Sequence, residues 1–396
     1  MSFRTLDDLD VRGKRVLVRE DLNVPLKDGA IADYTRVDAA IATLAWLRDH
    51  GARTIVMSHL GRPDGKPDPA YSLKPLVAAL SERLGTAVEF AHDCVGPEVE
   101  ADVAALRDGG VLLLENVRFH DGEESNDPGF AQQLAKLGDI YVNDAFGTAH
   151  RAHASTEGVA HLLPNAAGRC MQAELSALAR LTSHPVKPFV CVIGGAKVKD
   201  KIGVFTHLME SVDAFCIGGG MANTFLAASG ADVGSSLRDG DLEPAKAILA
   251  LAKTKNVALH LPVDAVVAPK FDADDQAHVV AIDAVGIEMI LDIGPATAAA
   301  YARVIEGAKT IVFNGPMGVY EKTPYQAGTK VVGEAIARAT KAGASSVVGG
   351  GDAAAAAHAL GFADAMTHVS TGGGATLEFL EGKTLPGVAA LEAAAA

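Results

Sequence analysis

Short apolar runs recur along the chain, each ending in a turn that contains Gly, Asp or Asn and followed by an amphipathic stretch. RVLVRED, TIVMSHL, VLLLENV and IYVND occupy the first 150 residues, and FVCVIGG, AFCIGGG, KTIVFNG, SSVVGGG and THVSTGG follow residue 188. Between them lie Ala- and Leu-rich segments of helical character, such as DAAIATLAWLRDHG and EPAKAILALAKTK. Strands that are apolar throughout are those buried on both faces, so the pattern predicts parallel sheets covered by helices. Two such sets predict an α/β chain of two doubly wound domains.

The division falls at 164–188. A helical stretch, AAGRCMQAELSALARLTSH, is bounded by Pro164 before it and by Pro185 and Pro188 after it. No low-complexity linker appears, so a helix with a hinge near its end is the expected connection. The Ala run at 353–357 reads as the small face of a packed helix, and the run at 393–396 as a frayed tail.

Composition narrows the partners. At 396 residues the chain suits two or three domains, and 49 % hydrophobic residues suffice for large cores. Lys and Arg number 35 against 49 Asp and Glu, a net charge of −14. Such a surface repels nucleic acid and anionic lipid, so an anionic ligand must be met by local cations. The four cysteines, Cys94, Cys170, Cys191 and Cys216, form no C-x-x-C and have no clustered His partner in sequence. No signal peptide or membrane span is legible, and a cytoplasmic protein is expected.

Ligands of open α/β sheets bind beyond the carboxyl ends of strands, and here the two halves differ. The first half places Arg19, Asp21 and Asn23 there, then His59 and Arg62, Arg118, and Asn143, Asp144, His150, Arg151 and His153, with Arg36 opening a helix. Arginines from several strand ends suit a small polyanion. The second half places glycines there: Gly194-Gly195, Gly218-Gly219-Gly220, Gly349-Gly350-Gly351 and Gly372-Gly373-Gly374. Glycines let backbone and helix N-termini approach a bulky phosphate-bearing ligand. The first half thus reads as built for a small acid phosphate, the second for a nucleotide.

A single Arg after a strand, or one Gly-Gly pair, is ordinarily only a solvated residue or a packing turn; repetition is what argues otherwise. Two familiar phosphate motifs fail. Gly382-Lys383-Thr384 lacks the earlier P-loop glycine, where Leu377 stands, and Gly349-x-Gly351-x-x-Ala354 is followed by Ser370 and Thr371 where an acid is needed. The expected cradle is VCVIGGAKVKDKIGVF, with a helix starting near Ala196 and Lys197 and Lys201 on one face of it. Two lysines there oppose the helix dipole unless a phosphate chain joins them. Asp352 can cap the following helix or hold Mg2+. His150 and His153 lack the further ligands of a zinc site.

RVLVREDLNVPL, MSHLGRPDG, LLLENVRFH, YVNDAFGTAHRAHAST, IGGAKVKDKI, IGGGMANTF, LDIGP, FNGPMGVYE, VVGGGDA and STGGGATLEFLEGKTLPGV occur in the order found in the phosphoglycerate kinase family, which the chain resembles from about Leu6 to Leu391. The resemblance implies two Rossmann-like domains joined by a helix and hinge: residues 1–168 for 3-phosphoglycerate, 169–187 as connection and 188–383 for nucleotide, with the tail 384–396 returning to the first. It implies reversible, Mg2+-dependent phosphoryl transfer between ATP or ADP and 3-phosphoglycerate or 1,3-bisphosphoglycerate, in a monomer. Asp21, Asn23, Arg36, His59, Arg62, Arg118 and Arg151 would hold the 3-phosphoglycerate side. Lys197, Lys201, Gly219, Asn314, Pro316, Glu321, Gly350, Gly351, Asp352 and Ala353 would contact the nucleotide, Asp352 with Mg2+ and Glu321 at the ribose. Gly372 and Gly373 would face the migrating group, and Arg36 and Lys197 would be its nearest cations.

The sequence departs from the family pattern twice. Ala353 stands where Ser or Thr is usual, which predicts weaker nucleotide binding, and Phe313 stands where Trp is common, which predicts only a packing change. A two-lobed binding protein, a dehydrogenase on a similar frame and a catalytically inert scaffold are the rival readings. The absent signal, the failed dinucleotide motif and the complete set of functional side chains argue against them in turn.

Overall fold

The strand Arg15–Arg19 shows why these apolar runs become central strands. Val16 and Val18 enter one hydrophobic cluster and Leu17 the opposite one, all three fully buried. The chain, described here by a computed structural model that covers residues 2–27, 29–183 and 185–393, forms two compact units. One contains the residues up to Ser176 with those from Thr384 onward, the other Ala177–Lys383. The helix Arg169–Thr182 spans the division.

The first unit holds a six-stranded parallel sheet in the order Val88–Phe90, Val111–Leu113, Arg53–Met57, Arg15–Arg19, Ile140–Asn143, Asn165–Ala167. The three strands of this sheet that follow Arg15–Arg19 all lie on one side of it and the last two on the other, which makes that strand's carboxyl end a topological switch point. The helix Pro386–Ala393 packs into this unit: Gly387 N–H donates to Ala149 O at 2.9 Å and Asn165 Nδ2 to Ala390 O at 3.4 Å. Of the expected frayed tail, residues 394–396 lie outside the described residues.

The second unit repeats the plan, with parallel order Ala258–His260, Ala214–Ile217, Phe189–Ile193, Thr310–Asn314, Ser345–Val348, His368–Val369. Phe189–Ile193 is the switch strand. Phe313 is buried and meets Phe362 edge-on, with centroids 5.7 Å apart. A further antiparallel sheet, His278–Ala281, Asp264–Ala268, Met289–Ile293, was not foreseen. Its strands carry Asp264 and Asp292 and expose Val279, so they lack the uniformly apolar signature of the others.

Among the described residues no helix is long and apolar enough to cross a membrane.

Candidate functional site

At the switch strand of the first unit, Arg19 turns inward. Its Nε donates to Ser155 Oγ (2.7 Å), one Nη to the Glu20 carbonyl and the other to His59 Nδ1 (3.1 Å). Ser155 in turn donates its hydroxyl to Glu123 Oε1 (2.6 Å) and its amide to Oε2 (2.9 Å). All four side chains are buried. Arg19, grouped by position with the arginines expected to converge on an anion, is therefore a brace for His59. Because Nδ1 accepts, the proton of a neutral His59 sits on Nε2.

Asp21, Asn23, Arg36 and Arg118 are tied together through Gly61. Arg36 Nη1 donates to Asp21 Oδ1 (2.8 Å) and to the Asn23 carbonyl (3.1 Å), and Asp21 Oδ1 also accepts from Asn23 N–H (3.2 Å). Asn23 Oδ1 accepts from Gly61 N–H (2.9 Å), while Arg118 Nη1 donates to Gly61 O (2.8 Å). Gly61 has φ +62°, and a Cβ there would run into the Tyr71 ring. Arg62 is exposed and, with Arg118, lines a cavity of about 210 Å³. Arg151 Nε donates to His150 Nε2 at 3.3 Å.

Two imidazoles register the resulting field. His59 is held well below the ordinary histidine range by burial first, then by Arg19, Arg118, Arg36 and His153. His153 is pushed down to about 4 by burial, then by Arg118, Arg19, Arg151 and His150. Both are neutral at pH 7, surrounded by permanent positive charge. The −14 chain thus concentrates cations in one place, as a small polyanion requires.

The second unit builds a floor of backbone. Beyond Phe189–Ile193, Ala214–Ile217 and Thr310–Asn314, a Cβ on Gly194 would run into the Pro316 carbonyl. One on Gly219, at φ +67°, would lie 2.8 Å from Gly195 O. Over this floor opens a cavity of about 290 Å³. Gly195, Gly219, Pro316, Glu321 and Asp352 line it, and Leu237, Met289 and Leu291 supply an apolar wall.

The lysine spacing is not what the sequence suggested. Lys197 is extended (φ −137°, ψ 135°) and precedes a 3-10 turn, Val198–Lys201, before the helix Ile202–Leu208 begins. The Asp239 carboxylate caps that turn, Oδ2 accepting from Val198 N–H at 2.7 Å, so Lys197 and Lys201 share no helical face. Lys197 is exposed. Lys201 folds back, and its Nζ donates to Gly194 O (2.7 Å) and Asn314 O (2.6 Å). Burial lowers Lys201 to about 8, opposed by Cys191, Asp352 and Asp200.

Asn314, buried, clamps two strand ends by donating Nδ2 to Gly349 O at 2.6 Å, and its Oδ1 has no partner among the described residues. Gly350 (φ +100°) lies beside it and caps the helix Gly351–Ala359. Asp352 is exposed in the first turn of that helix. Ala353, at 1 % exposure, points into the core, so a hydroxyl there would not face the cavity. Gly372 N–H donates to Ser370 Oγ (3.1 Å), and Gly373 (φ +52°) precedes the helix Gly374–Leu380. Asp292, missed in the sequence because it interrupts an apolar run, lines the cavity with 1 % exposure and is pushed up to about 7 by burial.

The family model described as phosphoglycerate kinase matches residues 6–383. Among curated relatives, the phosphoglycerate kinase of Moorella thermoacetica is 56 % identical over 393 residues and that of Chloroflexus aurantiacus 53 % identical over 397. Each alignment covers 99 % of both chains. Among solved structures, phosphoglycerate kinase from Coxiella burnetii superposes with a TM-score of 0.92 at 42 % identity, covering 100 % of both chains. That from Pyrococcus horikoshii gives 0.81 at 33 % identity, covering 99 % of both.

Proposed function

Because the chain belongs to the phosphoglycerate kinase family, and so is an enzyme that transfers a phosphoryl group to and from a carboxyl acceptor, we propose that the two chemistries described above are its two substrate sites. The observation that carries this reading is the contrast between them: a cluster of arginines around neutral imidazoles in one unit, a glycine floor with an apolar-walled cavity in the other.

On this reading Asp21, Asn23, Arg36, His59, Arg62, Arg118 and Arg151 hold 3-phosphoglycerate or 1,3-bisphosphoglycerate. Lys197, Lys201, Gly219, Asn314, Pro316, Glu321, Gly350, Gly351, Asp352 and the Ala353 backbone hold ATP or ADP. A carboxylate oxygen of 3-phosphoglycerate attacks the γ-phosphorus in line. The new acyl–phosphate bond forms as the bond to the bridging oxygen breaks, and ADP leaves. That nucleophile is already ionised at pH 7, so no general base is required, and positioning plus charge neutralisation carry the catalysis. Arg36 and Lys197 are the cations nearest the migrating group, with Gly372 and Gly373 beside it. Ligands held by separate units react only when brought within bonding reach with water excluded, which assigns the connecting segment the part of a hinge.

Mg2+ fits the residues present: Asp352 is an exposed carboxylate on the cavity wall, and Mg2+ is commonly held by one carboxylate together with nucleotide phosphates. Bound there, it supplies charge neutralisation on the leaving phosphates. The proposal extends to a cytoplasmic monomer.

Transfer from ATP made chiral with oxygen isotopes at the γ-phosphorus tests the reaction path. A single in-line step inverts the configuration, and net retention would overturn it.

A further inference from the structure

Cys94 has His92 two positions before it in the chain and further metal-ligating neighbours in space. The segment after Val88–Phe90 brings Asp93 and Cys94 against His120, which follows the short turn Val117–Phe119. An Asp93 carboxylate oxygen, the Cys94 thiol and a ring nitrogen of His120 all lie within 4.8 Å of one another. His120 Nε2 and Asp93 Oδ1 are 2.7 Å apart, and Cys94 N–H donates to that same oxygen at 2.6 Å. The His120 ring is stacked on Phe130, with centroids 5.1 Å apart and planes at 25°, which fixes its orientation. The thiol is buried, while the Asp93 and His120 side chains are 52 % and 32 % exposed, so the cluster opens to solvent on one side only. A cavity of about 330 Å³ adjoins it, lined in part by Ser72, His92 and Glu115.

We propose that Asp93, Cys94 and His120 form a site for one zinc-type dication, with the fourth position left to water. Thiolate, imidazole and carboxylate together are a zinc donor set, and three protein ligands with one open position is a recurrent zinc geometry. In a tetrahedral site with bonds of about 2.0 Å, nitrogen and oxygen ligands sit roughly 3.3 Å apart. The Asp93–His120 contact therefore has to open by only about half an ångström, on a face already exposed. The thiol is pushed up by burial first and by the Asp93 and Glu123 charges next. A dication offsets those charges and displaces the thiol proton to solvent on binding. None of the three ligands is a residue assigned to either substrate, although His120 also lines the cavity of about 210 Å³ that Arg62 and Arg118 share, so the site borders the acid-phosphate side.

Metal-free full-length protein titrated with Co2+ alone tests this. The expected result is a near-ultraviolet thiolate-to-cobalt band that saturates at one equivalent and is bleached by Zn2+. It should be lost in both Cys94→Ser and His120→Ala, with circular dichroism unchanged. His120→Ala alters a part-exposed residue and keeps the test decisive if Cys94→Ser fails to fold. Absence of the band in the wild-type protein at saturating Co2+, or its survival in either folded variant, would overturn the site.

Discussion

Arg19 and His59 meet across 3.1 Å in the interior of the first unit, a guanidinium donating to the Nδ1 of an imidazole that burial keeps neutral. The contact fixes His59 with Nε2–H as its donor, and Arg19 is itself held by Ser155 and, through it, by Glu123. Arg19→Met leaves the Glu20 carbonyl and His59 Nδ1 without their donor and removes one of the cations acting on buried Glu123, and should destabilise the fold by about 1–3 kcal/mol. Urea unfolding measures this. In the double variant with Glu123→Gln the loss should be smaller than the sum of the two single losses.

His153 sets a pH dependence. Its folded-state value, about 4, lies below the ordinary 6.5, so between those values the unfolded chain binds the extra proton and stability falls as pH falls. Its contribution is fully present above about pH 6.5 and is lost progressively down to pH 4. Between pH 7 and pH 5 the wild-type protein should lose about 2 kcal/mol more unfolding free energy than His153→Gln. Equal losses would mean that His153 titrates alike in the folded and unfolded chains.

Much of this was legible in the chain and some was not, for reasons that can be named. Runs such as TIVM and FVCVI are buried on both faces, so their apolar continuity alone marked them as strands. Met289–Ile293 and Asp264–Ala268 carry a carboxylate each and escaped the same reading, and the apolar wall of the second unit's cavity escaped with them. Arg19 looked like its neighbours because its partners, Ser155 and Glu123, lie more than 100 residues away in sequence. Lys197 and Lys201 were placed on a helix because Asp239, which caps a 3-10 turn there, is also remote.

Ala353 shows a local departure losing its expected consequence. Its side chain lies in the core with Phe313 and Phe362, so the missing hydroxyl cannot weaken nucleotide binding by direct contact. Ala353→Thr should overpack that core and cost about 1–3 kcal/mol, with the nucleotide KM unchanged. A lower KM in the variant would show that the hydroxyl reaches the nucleotide.

Lys201, lowered to about 8 by burial, still carries its proton at pH 7 and loses it above pH 8 in the free enzyme. Affinity for ADP should therefore decline above about pH 8, while Lys201→Met binds more weakly at pH 7 but shows no such break. Isothermal titration from pH 7 to pH 9.5 distinguishes the two.

The central claim, that this chain moves a phosphoryl group between its two sites with Lys197 beside the reacting atoms, is tested most directly by turnover. Supplied with 3-phosphoglycerate, MgATP and excess glyceraldehyde-3-phosphate dehydrogenase, the wild-type protein should consume NADH. Because Lys197 is exposed, Lys197→Ala should keep the fold while kcat drops on the order of 10²–10³-fold. No turnover by folded wild-type protein that still binds both ligands, or an undiminished kcat in Lys197→Ala, would contradict the account.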